Sequence, residues 1–400
     1  MLVTTIGVLR QSFPDSEFIV FSYSPKRDRS LVQDARIKVV SATPASMVFC
    51  IFPWAVLISF LRLLHIPFPG SFPIQVIKEL CRCDAMLDIG GISFVDGREL
   101  FLPYNILSIW LAMMLNIPVV KLAQALGPFT SSINRLTAKI FLPRCAKIFS
   151  RGDTTSRNLQ SINISNFARA ADIAFLYQSE FSLSKENEDM VEPLMDELGR
   201  IRAQGNRIII ISPSSLVYQK SVKKGGDYIG QLLHLVSELD NENTHFLFLP
   251  NSTRQVSSKP RNNDIFIIDL LMHRALTSLT PERFSKTHWV TWDVNTASLR
   301  GLMKMANLII TSRFHAMVSG LALGIPTLVI GWSHKYIETL ADFGMEHFAA
   351  DFEDQRVNLI ALAEELIQDE STIRQQLVDR LGNVQALSKT QFEYVEKLWN

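Results

Sequence analysis

Short apolar runs alternate with amphipathic stretches along the whole 400-residue chain, and that alternation admits few folds. In the first half, residues 17–23, 85–89, 117–122 and 147–150 read as strands, with helical stretches such as 104–115 and 133–145 between them. In the second half the strands are 207–212, 245–250, 265–270, 288–291, 308–311 and 327–330, separated by helix-like segments that include 228–239 and 296–305. Strands joined through helices pair in parallel, so the expectation is doubly wound α/β architecture with mostly parallel sheets. A domain typically takes about 100–200 residues, so a chain this long implies two. Charge density rises over 178–204, which places the join there. We expect one domain over 1–178, a second over 205–350, a cleft between them and a helical tail over 351–400.

Composition narrows the classes further. Hydrophobic residues make up 47% and charged residues 20%, which is too apolar for a disordered chain. Forty basic residues against 39 acidic give a net charge of +1, so no global field favours nucleic acid and no such partner is expected. Cys50, Cys81, Cys83 and Cys145 are too sparse for a disulfide framework. Cys81 and Cys83 lack a second Cys/His pair at ligand spacing, so buried reduced thiols and a reducing cytoplasm fit, with no metal. No secretory signal opens the sequence. Met47–Leu61 is about 15 residues, apolar except for Ser59, where a spanning helix needs roughly 20. It reads as a core helix or covered hairpin, as an interfacial element that makes peripheral contact with a lipid surface, helped by Arg62, or, least of all, as a true span.

In open α/β sheets ligands bind beyond the carboxyl ends of strands, so the residues just after each strand carry the information. After the 85–89 strand come Gly90, Gly91, Ser93 and Asp96. Paired glycines serve a structural turn or let a backbone approach a ligand, and Asp96 is either a helix cap or a general acid or base. After the 147–150 strand comes Arg151, followed by Asp153 and Thr154 as candidate caps. Arg151 either pairs with Asp153 at the surface or offers its fork of donors to a phosphate or carboxylate. The most specific run is Thr311-Ser312-Arg313-Phe314-His315, leading through Gly320 to Gly324-Ile325-Pro326. An arginine, a histidine and a helix start at one strand tip suit a phosphoryl oxygen, and His315 can pass a proton near neutral pH. Lesser candidates are Ser212-Pro213-Ser214-Ser215, Pro250-Asn251-Ser252 and Gly331-Trp332-Ser333-His334-Lys335, each after a strand. Dinucleotide-binding, Walker and Gly-x-Ser-x-Gly motifs are absent.

Together these segments resemble the polysaccharide pyruvyl transferase family. The resemblance rests on Gly90-Gly91-Ile92-Ser93-Phe94-x-Asp96, Gln124-Ala125-Leu126-Gly127-Pro128-Phe129, Ser150-Arg151-Gly152-Asp153-x-x-Ser156, Ala171-Asp172-Ile173-Ala174-Phe175 and the 311–326 run, in order through roughly 1–345. It implies a GT-B-like fold of two Rossmann-type domains and transfer of pyruvate from phosphoenolpyruvate to a pair of saccharide hydroxyls as a cyclic ketal. It also implies that Arg151, Arg313 and His315 hold phosphoenolpyruvate. Gly90, Gly91, Ser93 and Asp96 would then face the acceptor, with Asp96 and His315 as acid and base and no cofactor beyond the co-substrate. Two guanidinium groups from opposite halves would meet over one dense anion. Relatives usually begin with a strand and a glycine loop; here residues 1–9 already read as the following helix, so the first sheet is expected one strand short. Two other readings stand beside this one. One is a GT-B glycosyltransferase or epimerase with a nucleotide-sugar donor. The other is a non-catalytic, degenerate relative.

Overall fold

Continuous apolar runs flanked by turn residues form strands, and in the computed structural model those over Val119–Gln124, Arg207–Ser212, Leu308–Thr311 and Thr327–Gly331 are buried nearly throughout. The structure describes residues 1–65, 75–181, 188–239, 243–253, 263–331, 334–354 and 356–399. Two units divide the chain: Met1–Ser184 with Gln385–Asn400, and Lys185–Val384. Residues 182–187 of the expected join, and Trp332 and Ser333 among the candidates, lie outside the described residues.

The first unit holds β1 (Phe18–Ser22) and β2 (Ile37–Ser41), a parallel pair. A separate parallel sheet runs β3 (Met86–Asp88), β4 (Val119–Gln124), β5 (Lys147–Arg151) and β6 (Phe167–Ala170), in that order. Among the described residues no strand joins the two sheets. The register of β4 on β5 shifts between Lys121 and Gln124, where Ala123 takes φ +42°. Such a bulge re-aims the side chains around it, and here Lys121 and Gln124 both end on Asp88, the last residue of β3. The helix Leu2–Ser12 opens this unit, as the sequence led us to expect.

The second unit contains one six-stranded parallel sheet. Its strands are β7 (Arg207–Ser212), β8 (Thr244–Phe248), β9 (Thr287–Trp289), β10 (Leu308–Thr311), β11 (Thr327–Gly331) and β12 (Ala349–Asp351). Their spatial order is β12-β11-β10-β7-β8-β9, the order of a doubly wound nucleotide-binding sheet with its switch point between β7 and β10. The central strands are apolar on both faces: Ile208, Ile209, Ile210, Leu308, Ile309 and Ile310 are all buried. Full burial of each such side chain is worth about 1.5–3 kcal/mol, so this stack anchors the loops at the strand ends. Gly320 lets the helix Phe314–Ala322 lie on the sheet, because a Cβ there would sit 2.5 Å from Thr327 Oγ1 and 3.0 Å from Ile309 Cδ1.

One expected strand is not there. Residues 265–270 belong to the helix Asp264–Ser278, whose buried residues Asp264, Ile267, Ile268, Leu271 and Ala275 follow a helical period. The terminal helix Glu370–Lys397 belongs to the second unit up to Val384 and to the first from Gln385.

Candidate functional site

Each unit carries an arginine at a strand tip, and in each a buried aspartate orients it. In the first unit the last residue of β5 is Arg151, buried, with Nη1 donating to Asp172 Oδ2 at 2.7 Å and Nη2 to the Gly91 carbonyl at 3.2 Å. Gly91 can present that carbonyl because its φ is +68°, a conformation that favours glycine. Asp172 caps the short turn Ile173–Leu176 through its other oxygen, which accepts from Ala174 N at 2.9 Å. Its own carbonyl accepts from Ser388 Oγ at 3.1 Å, and that of Ala171 accepts from Gln391 Nε2 at 2.9 Å. The terminal helix thus holds the segment that holds Arg151.

Beside the Gly90-Gly91 turn lies a second ion pair, its lysine buried and its aspartate partly so. Lys121, wholly inaccessible, is ion-paired with Asp88, and its ammonium lies 5.5 Å from the Phe94 ring centre. Burial raises the Asp88 carboxyl, but attraction to Lys121 and donors from Gly90 and Gln124 outweigh it and leave it below the usual carboxylate range. Gln124 also accepts from Ser93 Oγ at 2.6 Å. Ser93 and its neighbours Ile92, Phe94 and Val95, with Arg98, Phe101, Tyr104 and Asn105, line a pocket of about 200 Å³.

Asp96, farther along the same loop, bonds to the start of the next helix. It accepts from Thr130 N at 2.7 Å, Ser131 N at 3.1 Å and Asn134 Nδ2 at 2.6 Å, and also from the Thr130 hydroxyl. It therefore does the capping work at the start of the helix Ser132–Phe141, whose own Ser131 makes no side-chain cap. Burial pushes its carboxyl up, but these donors pull it further down, so it is held as an anion. The donors that keep it ionised also lower its affinity for a proton.

In the second unit, Arg313 Nη2 pairs with Asp264 and donates to Ser215 Oγ at 3.2 Å. Asp264 is fully buried and collects donors from three strand-end loops. These are Ser215 N at 3.1 Å after β7, Ser252 N at 2.8 Å after β8, and Arg313 after β10. Ser214-Ser215 and Asn251-Ser252, read from sequence as separate loops, are gathered by this one carboxylate. Tyr228 Oη bonds Ser312 Oγ at 2.7 Å, and Tyr336 Oη donates to the Ser312 carbonyl at 3.1 Å. Burial pushes the Tyr228 phenol well above its usual range, so it stays protonated and bonds as a neutral hydroxyl. Arg313 Nε is buried with no acceptor among the described residues.

His315, two residues on, is exposed and does not share a helix face with Arg313. Its ring meets Phe314 edge-on at 5.5 Å, and the Lys335 ammonium lies 5.0 Å from the other partner of that contact, the Phe314 ring. The helix Phe314–Ala322 starts without a side-chain cap and with no acidic residue in its first turn. An uncapped helix start presents N–H groups and a partial positive charge to an anion. Among the described residues no three His, Cys, Asp or Glu side chains group as a metal site. Burial pushes the Cys83 and Cys145 thiols up to about 11, so both are unreactive thiols.

Sequence reasoning missed Asp264 because the following run was read as a strand. The signal was present: Asn263-Asp264 ahead of a helical-period apolar run is a helix start. Ser388 and Gln391 carry no sequence signal, since their task is to bond a backbone far away in the chain.

Solved structures with the same fold are nucleotide-sugar enzymes of the GT-B type. A UDP-GlcNAc 2-epimerase from Neisseria meningitidis bound to UDP-GlcNAc matches at TM-score 0.52 and 13% identity, over 96% of this chain and 99% of that one. The trehalose-phosphate synthase of Burkholderia vietnamiensis matches at 0.51 and 11%, over 92% and 89%. Staphylococcus aureus MnaA with UDP matches at 0.50 and 12%, over 90% of each. At such identities the likeness concerns the fold alone. No curated protein matches the chain significantly. The model of one family, however, matches residues 1–334: the chain belongs to the polysaccharide pyruvyl transferases.

Proposed function

We propose that this transferase moves pyruvate from phosphoenolpyruvate to two hydroxyls of a saccharide, on a polysaccharide or a lipid-linked precursor. One observation carries the donor reading: Arg313, held by buried Asp264 with Nε still lacking an acceptor among the described residues, sits at an uncapped helix start. A guanidinium fork and a helix N-terminus together suit a ligand with both a phosphate and a carboxylate. His315 and Lys335 supply further cationic or proton-bearing groups, and Arg151 is a second donor-binding residue.

The chemistry then runs as follows. An acid, for which His315 is our candidate, protonates the methylene carbon and leaves an oxocarbenium-like centre at C2. A saccharide hydroxyl attacks that carbon and gives up its proton to a base. The C2–O bond then breaks, phosphate leaving with the bridging oxygen and the bonding pair, and a neighbouring hydroxyl bonds the resulting oxocarbenium carbon and gives its proton to the departing phosphate, which closes the ketal. Asp96, held as an anion, takes the base role, with Gly90, Gly91 and Ser93 lining the acceptor side beside the small pocket. The scheme calls on no resident cofactor. The donor and the sparse, reduced cysteines favour the cytoplasm, and Met47–Leu61 favours peripheral contact with its membrane.

A second reading rests on the fold: the similar structures hold UDP or UDP-GlcNAc, so the donor would be a nucleotide sugar. Incubation with each donor class separates the two. Phosphate released from phosphoenolpyruvate supports the first reading, and nucleotide released from a UDP-sugar, with phosphoenolpyruvate untouched, replaces it.

A further inference from the structure

One side of the first unit is apolar where most protein surfaces are polar. The described residues contain one helical stretch, Ser46–Leu63, long and apolar enough to cross a membrane. Its packing argues for another disposition. Met47, Ile51, Ala55 and Ile58 form one buried stripe, and Arg62 Nη1 donates to the Leu115 carbonyl at 2.7 Å, which ties the stretch down along the unit. Spanning a bilayer would strip that stripe from the core. The opposite face stays in the open: Phe49 is 78% exposed, Leu63 74% and Phe60 56%.

This face continues across two more helices. Trp110 of the helix Leu102–Met114 stands 5.2 Å from Phe52 on one side and 5.6 Å from Phe141 on the other, measured between ring centres. The third helix, Ser132–Phe141, buries Asn134 and Ala138 and exposes Ile133, Leu136 and Ile140 on its opposite side. All three helices bury into the same hydrophobic cluster, so their outer faces form one layer. An exposed apolar layer of this extent marks an interaction site.

Charge identifies the partner. Residues 46–64 contain no acidic side chain, and none occurs between Glu99 and Asp153. Basic side chains do: Arg135 and Lys139 are exposed on the third helix, and Arg144 follows it. Apolar side chains rimmed by cations, with carboxylates confined to Asp96 and Glu99 where the third and middle helices begin, match an anionic bilayer surface, where the apolar groups enter the headgroup boundary and the cations meet lipid phosphates. We propose that this three-helix face docks peripherally on an anionic membrane. Phe101 lies in the helix–turn that opens the middle helix and also lines the small pocket, so docking would bring that pocket near the lipid. The docking rests on the face alone; its use, to meet a lipid-linked acceptor, rests on the pyruvyl transfer proposed above.

Flotation of the full chain with phosphatidylcholine vesicles, with and without phosphatidylglycerol, tests this. We expect the chain to float with the anionic vesicles and to be released by high salt. Phe49→Ser/Phe60→Ser/Leu63→Ser changes exposed positions only and is expected to lower binding at least about tenfold. Arg135→Glu/Lys139→Glu is expected to lower binding to anionic vesicles by about tenfold or more and to leave neutral vesicles little affected. Unchanged circular dichroism establishes that both variants are folded, and the lipid-composition arm needs no variant. The proposal is overturned if the unmodified chain floats with neither vesicle or if both variants bind as it does. Resistance to alkaline carbonate extraction also overturns it, in favour of a spanning helix. A dimer that the triple substitution dissociates, with no vesicle binding, overturns it in favour of a second copy of the chain. Because the vesicles contain neither donor nor acceptor, floating without phosphate release would keep the docking and lose the reaction. Phosphate release on a soluble saccharide without floating would do the reverse.

Discussion

The two units solve the same problem with different means. Each places an arginine at the carboxyl end of a parallel sheet and aims it with a buried aspartate, Asp172 for Arg151 and Asp264 for Arg313. In the second unit one unbroken six-stranded sheet supports the site, and Asp264 gathers backbone donors from adjacent strand-end loops. In the first the strands fall into sheets of four and two, and the aspartate's segment is steadied from outside by Ser388 and Gln391. The helix starts differ as well. The one after Arg151 carries Asp153 in its first turn, whereas the one after Arg313 carries no acidic residue and no cap. An acidic first turn has already used the helix's attraction for an anion, so on the proposed reading the second unit is the one that holds the anionic donor. The first unit is the one with a broad exposed apolar face; in the second the exposed large apolar residues, such as Val222, Leu276 and Ile337, are scattered.

Substitutions can break this comparison. The largest expected effect is on stability. Asp264→Ala leaves Arg313 uncompensated and the backbone donors of Ser215, Asn251 and Ser252 unmet, and is expected to cost about 3–5 kcal/mol in urea unfolding, with Asp172→Ala costing less. Equal losses would erase the distinction between the two sites. Next comes donor binding. Arg313→Lys keeps a charge but loses the fork, so phosphate release is expected to fall about 100- to 1000-fold, with weaker phosphoenolpyruvate binding in calorimetry. Arg151→Lys is expected to fall less; the opposite ranking would move the donor to the first unit. A smaller effect concerns pH. Asp96 titrates below its unfolded value of 3.8, so its contribution is complete above that value and is lost as pH falls through the lower folded value. Asp96→Asn should therefore lower the urea midpoint at pH 7 and narrow the gap to the original chain below about pH 4. A gap that persists unchanged in acid would mean that the carboxylate's charge is irrelevant. The smallest effects are expected from Ser388→Ala and Gln391→Ala, about 1 kcal/mol each by thermal unfolding, because each removes one hydrogen bond to the Asp172 segment.

Much of this was readable beforehand because burial on both faces leaves a plain apolar signature, as in 207–212 and 308–311. Three strands were not seen. Ile37–Ser41 and Phe167–Ala170 mix charged side chains into short edge positions, and Ala349–Asp351 is three residues long. The 265–270 run misled because a short β-branched stretch looks alike in a strand and in a buried helix. Only the longer window to Ser278 reveals its period. At the site, Arg151, Arg313 and the Gly90-Gly91 turn were legible from their place at strand tips. Their aspartate partners were not, because a carboxylate distant in sequence leaves no local pattern. For Asp96, cap and catalyst looked equally good from sequence, and the hydrogen bonds to Thr130, Ser131 and Asn134 account for its capping role.

The most direct measurement is donor turnover. The purified chain is incubated with phosphoenolpyruvate and a saccharide acceptor pool, free phosphate is followed, and the product is examined by mass spectrometry. The expected result is one phosphate released for each pyruvate ketal formed, and none with Arg313→Ala. Intact phosphoenolpyruvate alongside nucleotide freed from a UDP-sugar would contradict the pyruvyl-transfer assignment.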